Sequence, residues 1–293
     1  METRYILSLV RVRETGSTAE AARQLNLSPA AIGQQVRALE KETGLRLVQR
    51  SGRVVKLTEH GVRFAEQSAG LVRALQNLCV PESAEYYAGE LRLGAVATAM
   101  AGIVPDLLVA LRRRYPAAQV SLIPGDSSRL YADMVSGQLD AALVAEPFFD
   151  LPKSCGWKTL RSEALVLLTP QSAESDTPEA ILEKHPFIRY ARGTAGGRIV
   201  DRYLRTLAVK PRQAFELYSL SAISILVDRG LGVSLVPDWP PPWPAGLRLR
   251  KLVIPDAQYA RDVGLVWLRH STRSRVIDEI FKAYLSGSPL DSA

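Results

Sequence analysis

Apolar positions in the first forty residues recur every three or four places. Ile6, Leu9 and Val10, with Arg13 following, predict a helix over residues 3–14 that Gly16 ends. Ser17-Thr18-Ala19-Glu20 spells a capping box, in which Ser17 accepts from the Glu20 amide and the Glu20 side chain answers. Ala21, Ala22 and Leu25 continue a short helix whose small residues let a neighbour approach. Asn26 and Leu27 make the turn, Ser28 is a good N-cap, and Pro29 occupies the first helical position, where proline is best tolerated. Ile32, Val36 and Leu39 then form one buried stripe. The opposite face carries Ala30, Gly33, Gln34 and Arg37, small at its start and polar beyond. A helix entering the major groove needs that order: room to approach, then amide and guanidinium groups that reach base edges.

The next segment, LRLVQRSGRVVKLT, alternates apolar and polar residues around Ser51-Gly52 and reads as a β-hairpin. Arg46, Arg50, Arg53 and Lys56 charge it, with no acid between Gly44 and Thr58. A basic hairpin beside a helix-turn-helix can grip phosphates or enter the minor groove. By pattern alone the three helices also fit a plain cap on a larger domain. Charge favours DNA: of the chain's formal +7, residues 1–63 hold +5, from eleven Lys/Arg against six Asp/Glu.

From residue 59 the chain meets no strong helix breaker until Pro81. Ala65, Val72, Leu75 and Cys79, with Leu71 and Leu78 beside them, form a stripe. It suits a long helix pairing with its twin or packing on its own chain. Residues 81–90 read as a hinge. After Glu90 the texture becomes strands alternating with helices. LRLGAVA, QVSLI and DAALVAE are strands, with helices over 101–114 and 127–136 between them. A second run gives ALVLLT, PFIRY, a helix over 198–207, QAFEL, a helix over 219–228 and GVSLVP, and a final helix covers 274–285. This is a parallel α/β pattern in two units. Its chemistry belongs between the units, where strand ends and helix N-termini converge. The candidates there are Thr98, Met100, Ser127 and Ser128 in the first unit, and Arg192, Thr194, Ser219 and Ser221 in the second. Hydroxyls with a guanidinium suit a small carboxylate or similar anion, although Ser and Thr also cap helices with no ligand.

The stretch GSTAEAARQLNLSPAAIGQQVRALEKETGLRLVQRSGRVVKLTEHG resembles the N-terminal domain of LysR-type transcriptional regulators. Gly16-Ser17, Ala21-Ala22, Leu25, Ser28, Ala31, Ile32, Gln35, Leu39-Glu40, Gly44, Leu47, Arg50, Leu57-Thr58 and Gly61 carry the likeness. Gly33 stands where that family usually has Ser, Val48 where it has Phe, and His60 where it has Ala. DRGLGVSLVP matches the family's late glycine-rich turn and strand. The resemblance implies a winged helix-turn-helix (1–58), a linker helix and hinge (59–89), and a two-lobed, periplasmic-binding-protein-like effector domain (90–293). Lobe I would cover about 90–162 and 267–293, and lobe II about 163–266. It further implies promoter DNA and a small effector as ligands, a dimer through the linker helix, a tetramer of such dimers, and RNA polymerase as an open further partner. Ser28, Pro29, Ala30, Gly33, Gln34, Gln35 and Arg37 would meet the major groove, and Arg50 and Arg53 the backbone or minor groove.

Composition narrows the alternatives. The 293 residues allow about two domains, and 47% hydrophobic residues supply ordinary cores. Cys79 and Cys155 lie too far apart in sequence for a paired-cysteine metal site, and His60, His185 and His270 are scattered. No G-x-S-x-G elbow or P-loop occurs, and Gly193, Gly196 and Gly197 do not spell a dinucleotide fingerprint. Neither a catalytic set, a metal nor a cofactor is expected. With no signal peptide and no apolar run of about 20 residues, the expectation is a cytoplasmic protein off the membrane. An exported solute-binding protein and a metabolic α/β enzyme remain competing readings.

Overall fold

The computed structural model describes residues 2–51, 54–77, 90–172, 177–239 and 243–287. It divides into two compact units, Met1–Ala84 with Val135–Leu139, and Glu85–Met134 with Asp140–Ala293.

In the first unit α1 (Thr3–Thr15), α2 (Thr18–Gln24) and α3 (Pro29–Thr43) precede a hairpin of β1 (Val48–Ser51) and β2 (Val54–Leu57), then α4 (Glu59–Asn77). Gly16 closes α1 at φ 65°, its amide donating to the Val12 carbonyl. The Ser17 hydroxyl accepts from the Glu20 amide at 3.4 Å. The capping box is only half made, because the Glu20 carboxylate turns to Arg23, a charged partner one turn on. Leu9, Val12, Ala21, Ala22, Ile32, Val36, Leu39 and Leu47 build the core, to which α4 adds Ala65, Ala69 and Val72. An ion pair between Arg13 and Glu66 at 2.5 Å ties α4 to α1. The apolar residues of α4 therefore fall on two faces. Ala65 and Val72 pack inward, whereas Leu71 (68% exposed) and Leu75 (47% exposed), four residues apart, face solvent. Leu78 and Cys79 lie outside the described residues.

The second unit holds a five-stranded sheet in the order β4-β3-β5-β12-β6: β3 (Glu90–Ala95), β4 (Gln119–Pro124), β5 (Ala141–Ala145), β6 (Cys155–Glu163) and β12 (Arg261–Leu268). Packed with it are α5 (Ala97–Gly102), α6 (Val104–Arg114), α7 (Ser127–Val135) and α11 (Ser274–Gly287). The remainder forms a second lobe. There β7 (Leu165–Pro170) lies antiparallel between β10 (Ser234–Pro237) and β11 (Leu249–Val253), and β8 (Phe187–Tyr190) pairs in parallel with β9 (Gln213–Leu217). Its helices are α8 (Pro178–Lys184), α9 (Ala195–Thr206) and α10 (Leu220–Asp228). Side chains alternate across this lobe: Leu165, Leu167 and Phe187 face one core, while Val166, Leu168 and Ile188 face the other.

Three sequence expectations are corrected here. Strands β6, β11 and β12 and helix α8 were absent from the pattern reading. The sheets are not all parallel: the five-stranded one is mixed, because β12 returns from the second lobe and pairs antiparallel with both β5 and β6, and the three-stranded one is antiparallel throughout. The helix expected over 101–114 is two helices, broken at Ile103 (φ −124°, ψ −46°) just before Pro105, whose ring cannot follow a continuous helical turn. The chain crosses between lobes where β6 ends at Glu163 and again before β12 begins at Arg261.

Candidate nucleic-acid interface and effector cleft

Helix α3 starts as its sequence dictates. The Ser28 hydroxyl accepts from the Ala31 amide at 3.1 Å and Pro29 fills the first turn. With Ile32, Val36 and Leu39 buried, Ser28, Pro29, Ala30, Gln34 and Arg37 are left exposed on the other side. Gly33 is half-buried. A methyl group at this position would meet nothing nearer than Arg37 Nη2 at 4.0 Å, so no packing demand explains the glycine. Gln35 differs from its neighbours: it is half-buried, and its Oε1 accepts from the Ser8 hydroxyl of α1 at 2.5 Å.

The hairpin is held against α3 by side chains. Glu40 Oε1 accepts from the amides of Leu47 (2.7 Å) and Val48 (3.0 Å). Thr58 donates to the Arg46 carbonyl at 2.6 Å and caps α4 by accepting from the Gly61 amide at 3.0 Å. A depression of about 710 Å³ lies between α3 and the hairpin, with Arg37, Arg46 and Gln49 on its walls. The Arg50 side chain and all of Arg53 lie outside the described residues.

Buried polar side chains meet where the chain crosses between the lobes of the second unit. Arg261 donates through Nε to Glu163 Oε2 at 2.9 Å and through Nη2 to the Thr98 hydroxyl at 3.0 Å, with a second short contact from Nη2 to Glu163. Thr98, Glu163 and Arg261 are all buried. Burial pushes the Glu163 carboxyl up from its ordinary range, and the guanidinium pulls it back. The Ser127 hydroxyl accepts from the Ala145 amide at 3.1 Å, at the end of β5. Beside it the Glu146 amide donates to the carbonyl of Asp262, the neighbour of Arg261 in the chain, at 2.8 Å. Also between the lobes, the Arg198 guanidinium of α9 lies 4.6 Å from the Phe148 ring centroid of the first lobe.

In the second lobe Thr194 caps α9, accepting from the Gly197 amide at 2.9 Å and donating to the Ala191 carbonyl at 2.8 Å. Ser219 caps α10 by accepting from the Ala222 amide at 3.2 Å, which leaves its hydrogen free to donate. Ser221 is exposed in the first turn of α10, Met100 is half-buried in α5, and Ser128 is exposed in α7. It is Asp126, not Ser127 or Ser128, that accepts from an amide of the first turn of α7, that of Arg129 at 3.0 Å.

The comparisons with known proteins accord with this geometry. The model of the lysR-family bacterial regulatory helix-turn-helix protein matches residues 4–62, and that of the LysR substrate binding domain matches residues 84–286. The chain belongs to the LysR family of transcriptional regulators. Among curated relatives, the regulator TtuA of Agrobacterium vitis is 29% identical over 247 residues, covering 82% of this chain and 81% of the relative. IlvY of Escherichia coli is 26% identical over 246 residues, covering 81% and 82%. A full-length OxyR structure from Pseudomonas aeruginosa superposes with TM-score 0.68 at 22% identity, covering 97% of this chain and 94% of that one. Full-length CbnR in complex with its target DNA superposes with TM-score 0.62 at 21% identity, covering 97% and 100%. This LysR-type protein is thus a DNA-binding regulator with an effector-binding domain, not an enzyme. No helix among the described residues is long and apolar enough to cross a membrane, and no group of three potential metal ligands occurs among them.

Of the residues expected in the regulator's cleft, Arg192 takes another direction. Its backbone amide and Nη1 meet Glu216, and its Nη2 meets Gln213 at 3.2 Å. Sequence reasoning did not name Glu163, Arg261, Phe148 or Arg198 as site residues. The charges of Glu163 and Arg261 flanking the apolar runs LVLL and VGLVWL were the available signal.

Proposed function

We propose that this regulator reads operator DNA with the outward face of α3, and that a small organic anion in the inter-lobe cleft is its signal. Ser28, Pro29, Ala30, Gln34 and Arg37 sit at the major groove, with Gly33 allowing close approach. Gln35 acts mainly by fixing α3 to α1. Arg50 and Arg53, by their place in the sequence of the hairpin, meet the backbone or minor groove. The domain limits remain those read from sequence, 1–58, 59–89 and 90–293. The carrying observation is the exposure of the capped first half of α3, whose opposite face is wholly committed to the core. On the effector side, the Arg198 guanidinium and the Ser219 hydroxyl offer donors to a carboxylate. Leu71 and Leu75 of α4 suit pairing with a second copy, which supports a cytoplasmic dimer reading two half-sites, and two such dimers make the tetramer.

Selection of genomic fragments by the purified protein yields the operator, and calorimetry against a panel of metabolites yields the effector. On that operator Arg37→Ala loses discrimination between operator and unrelated duplex. Arg53→Ala weakens binding to every sequence and makes the salt slope shallower by about one unit. Arg37→Ala retaining full discrimination, or Arg53→Ala full affinity, would overturn the assignment of that residue.

A further inference from the structure

A second cavity, of about 540 Å³, lies in the second lobe between the C-terminal half of α9, the turn after it, and the strands β8 and β9. Four cations line it, Arg189, Arg192, Arg205 and Lys210, against one lining carboxylate, Asp201. Leu204 and Val209, both buried, give it an apolar wall. The Arg189 side chain is only 7% exposed, and is held by an ion pair to Asp201 and by Nε donating to Gln213 Oε1 at 3.0 Å. Gln213 Oε1 also takes Arg192 Nη2 at 3.2 Å, and Glu216 at the margin pairs with Arg192 Nη1 at 3.4 Å. Asp201 and Glu216 thus answer Arg189 and Arg192. The Arg205 and Lys210 side chains are exposed, and neither has an ion-pair or hydrogen-bond partner among the described residues.

Two uncompensated cations beside a pre-positioned guanidinium form a recognition surface for a compact dianion. Guanidinium groups take carboxylate and phosphate oxygens in pairs, and the volume lies in the range of small-molecule sites. The Ala208 and Val209 amides already satisfy the Arg205 and Leu204 carbonyls at the end of α9, so those carbonyls do not compete for the cations. We infer that this cavity is a binding site, separate from the inter-lobe cleft, for a small dianionic metabolite, either a phosphate monoester or a dicarboxylate.

The test is calorimetric titration of the full-length protein with inorganic phosphate, succinate and acetate at matched ionic strength. It compares wild type with Arg205→Gln/Lys210→Gln, two exposed positions whose exchange leaves the core untouched. Because the DNA-binding unit also carries cations, the difference between the two proteins is what counts. Saturable binding of one dianion or both is expected in the wild type, weaker by at least about fivefold in the double variant, with acetate binding more weakly than either. Phosphate alone binding selects phosphate monoesters, and succinate alone selects dicarboxylates. The part of the binding that is lost in the double variant persists in Arg198→Ala, which keeps the outcome separate from that of the cleft proposal. Failure of both dianions to saturate, or a double variant within fivefold of wild type, overturns the inference.

Discussion

Gly33 sits in the middle of a helix that gains nothing from a glycine there. Its backbone is helical, and a β-carbon has open space, the nearest atom being Arg37 Nη2 at 4.0 Å. Glycine in an exposed helix interior costs about 1 kcal/mol relative to alanine, through the freedom of the unfolded chain. Gly33→Ala is therefore expected to stabilise α3 by about that amount. The four tryptophans all lie beyond residue 150, so intrinsic fluorescence is a poor reporter of α3. Amide hydrogen exchange reads it directly: the α3 amides from Gln34 to Leu39 should exchange about fivefold more slowly, the factor equivalent to 1 kcal/mol. Unchanged or faster exchange would refute the reasoning, since it would mean that the glycine relieves a constraint other than packing. A second arm addresses DNA. Gly33→Ser adds the same β-carbon plus a hydroxyl on the proposed groove face. If position 33 faces bases, the serine variant binds operator more tightly than the alanine variant, with equal affinity for unrelated duplex. Equal operator affinity would remove position 33 from the reading face.

Glu40→Ala leaves the Leu47 and Val48 amides without their acceptor, a loss of about 1.5–3 kcal/mol in hairpin attachment. It should appear as faster exchange of those two amides and weaker DNA binding at every sequence. Arg261→Met strands the buried Glu163 carboxylate and should destabilise the second unit by about 3–5 kcal/mol, while Arg261→Met/Glu163→Leu recovers most of that. Denaturant unfolding followed by Trp157 and Trp267 fluorescence measures both, and a double variant no more stable than the single would refute it. The buried Tyr115 hydroxyl donates to Glu279 at 2.5 Å, and burial, with that carboxylate beside it, pushes its pKa up to about 12. The neutral phenol is thus favoured in the folded state, so its stabilising contribution is whole below pH 10 and is lost as pH rises to 12. The stability advantage of wild type over Tyr115→Phe should shrink across that window. An advantage that stays constant would contradict the assignment.

Local signals were legible in the sequence and long-range ones were not. Ile32, Val36 and Leu39 announce the buried face of α3 because one helix sets their spacing, and Ser28-Pro29 announces its start for the same reason. The attachment of the hairpin by Glu40 was invisible, since it depends on how the chain folds back after Gly44. Strands β6 and β12 escaped because each matters only through its partner: Arg261 and Glu163 stand opposite each other in register although nearly a hundred residues apart. Hydroxyls before helices marked Thr194 and Ser219, yet the same signal marks an ordinary cap, and both do cap. At α7 the neighbouring Asp126 takes that role, which frees the Ser127 hydroxyl to hold the Ala145 amide. Arg192 follows the local carboxylate and amide, Glu216 and Gln213, away from the cleft.

The charges between the lobes divide into a buried ion pair and an exposed cation. Arg261 is buried, but Glu163 neutralises it, and Thr98 takes one of its remaining donors. An anion reaching Arg261 would have to displace a buried carboxylate, at a cost that small ligands do not recover. Arg198 differs. Its guanidinium is exposed, its ring contact with Phe148 costs it no proton, and its only polar contact among the described residues is the Gly193 carbonyl at 3.5 Å. An anion that recruits Arg198 changes a contact between α9 and Phe148 of the opposite lobe. Exchange of Arg198 for Ala should therefore abolish the response to effector while leaving unfolding stability near wild type, whereas exchange of Arg261 does the reverse in its first effect, on stability. A stable Arg198→Ala protein that still responds fully to its effector would place the sensing charge elsewhere.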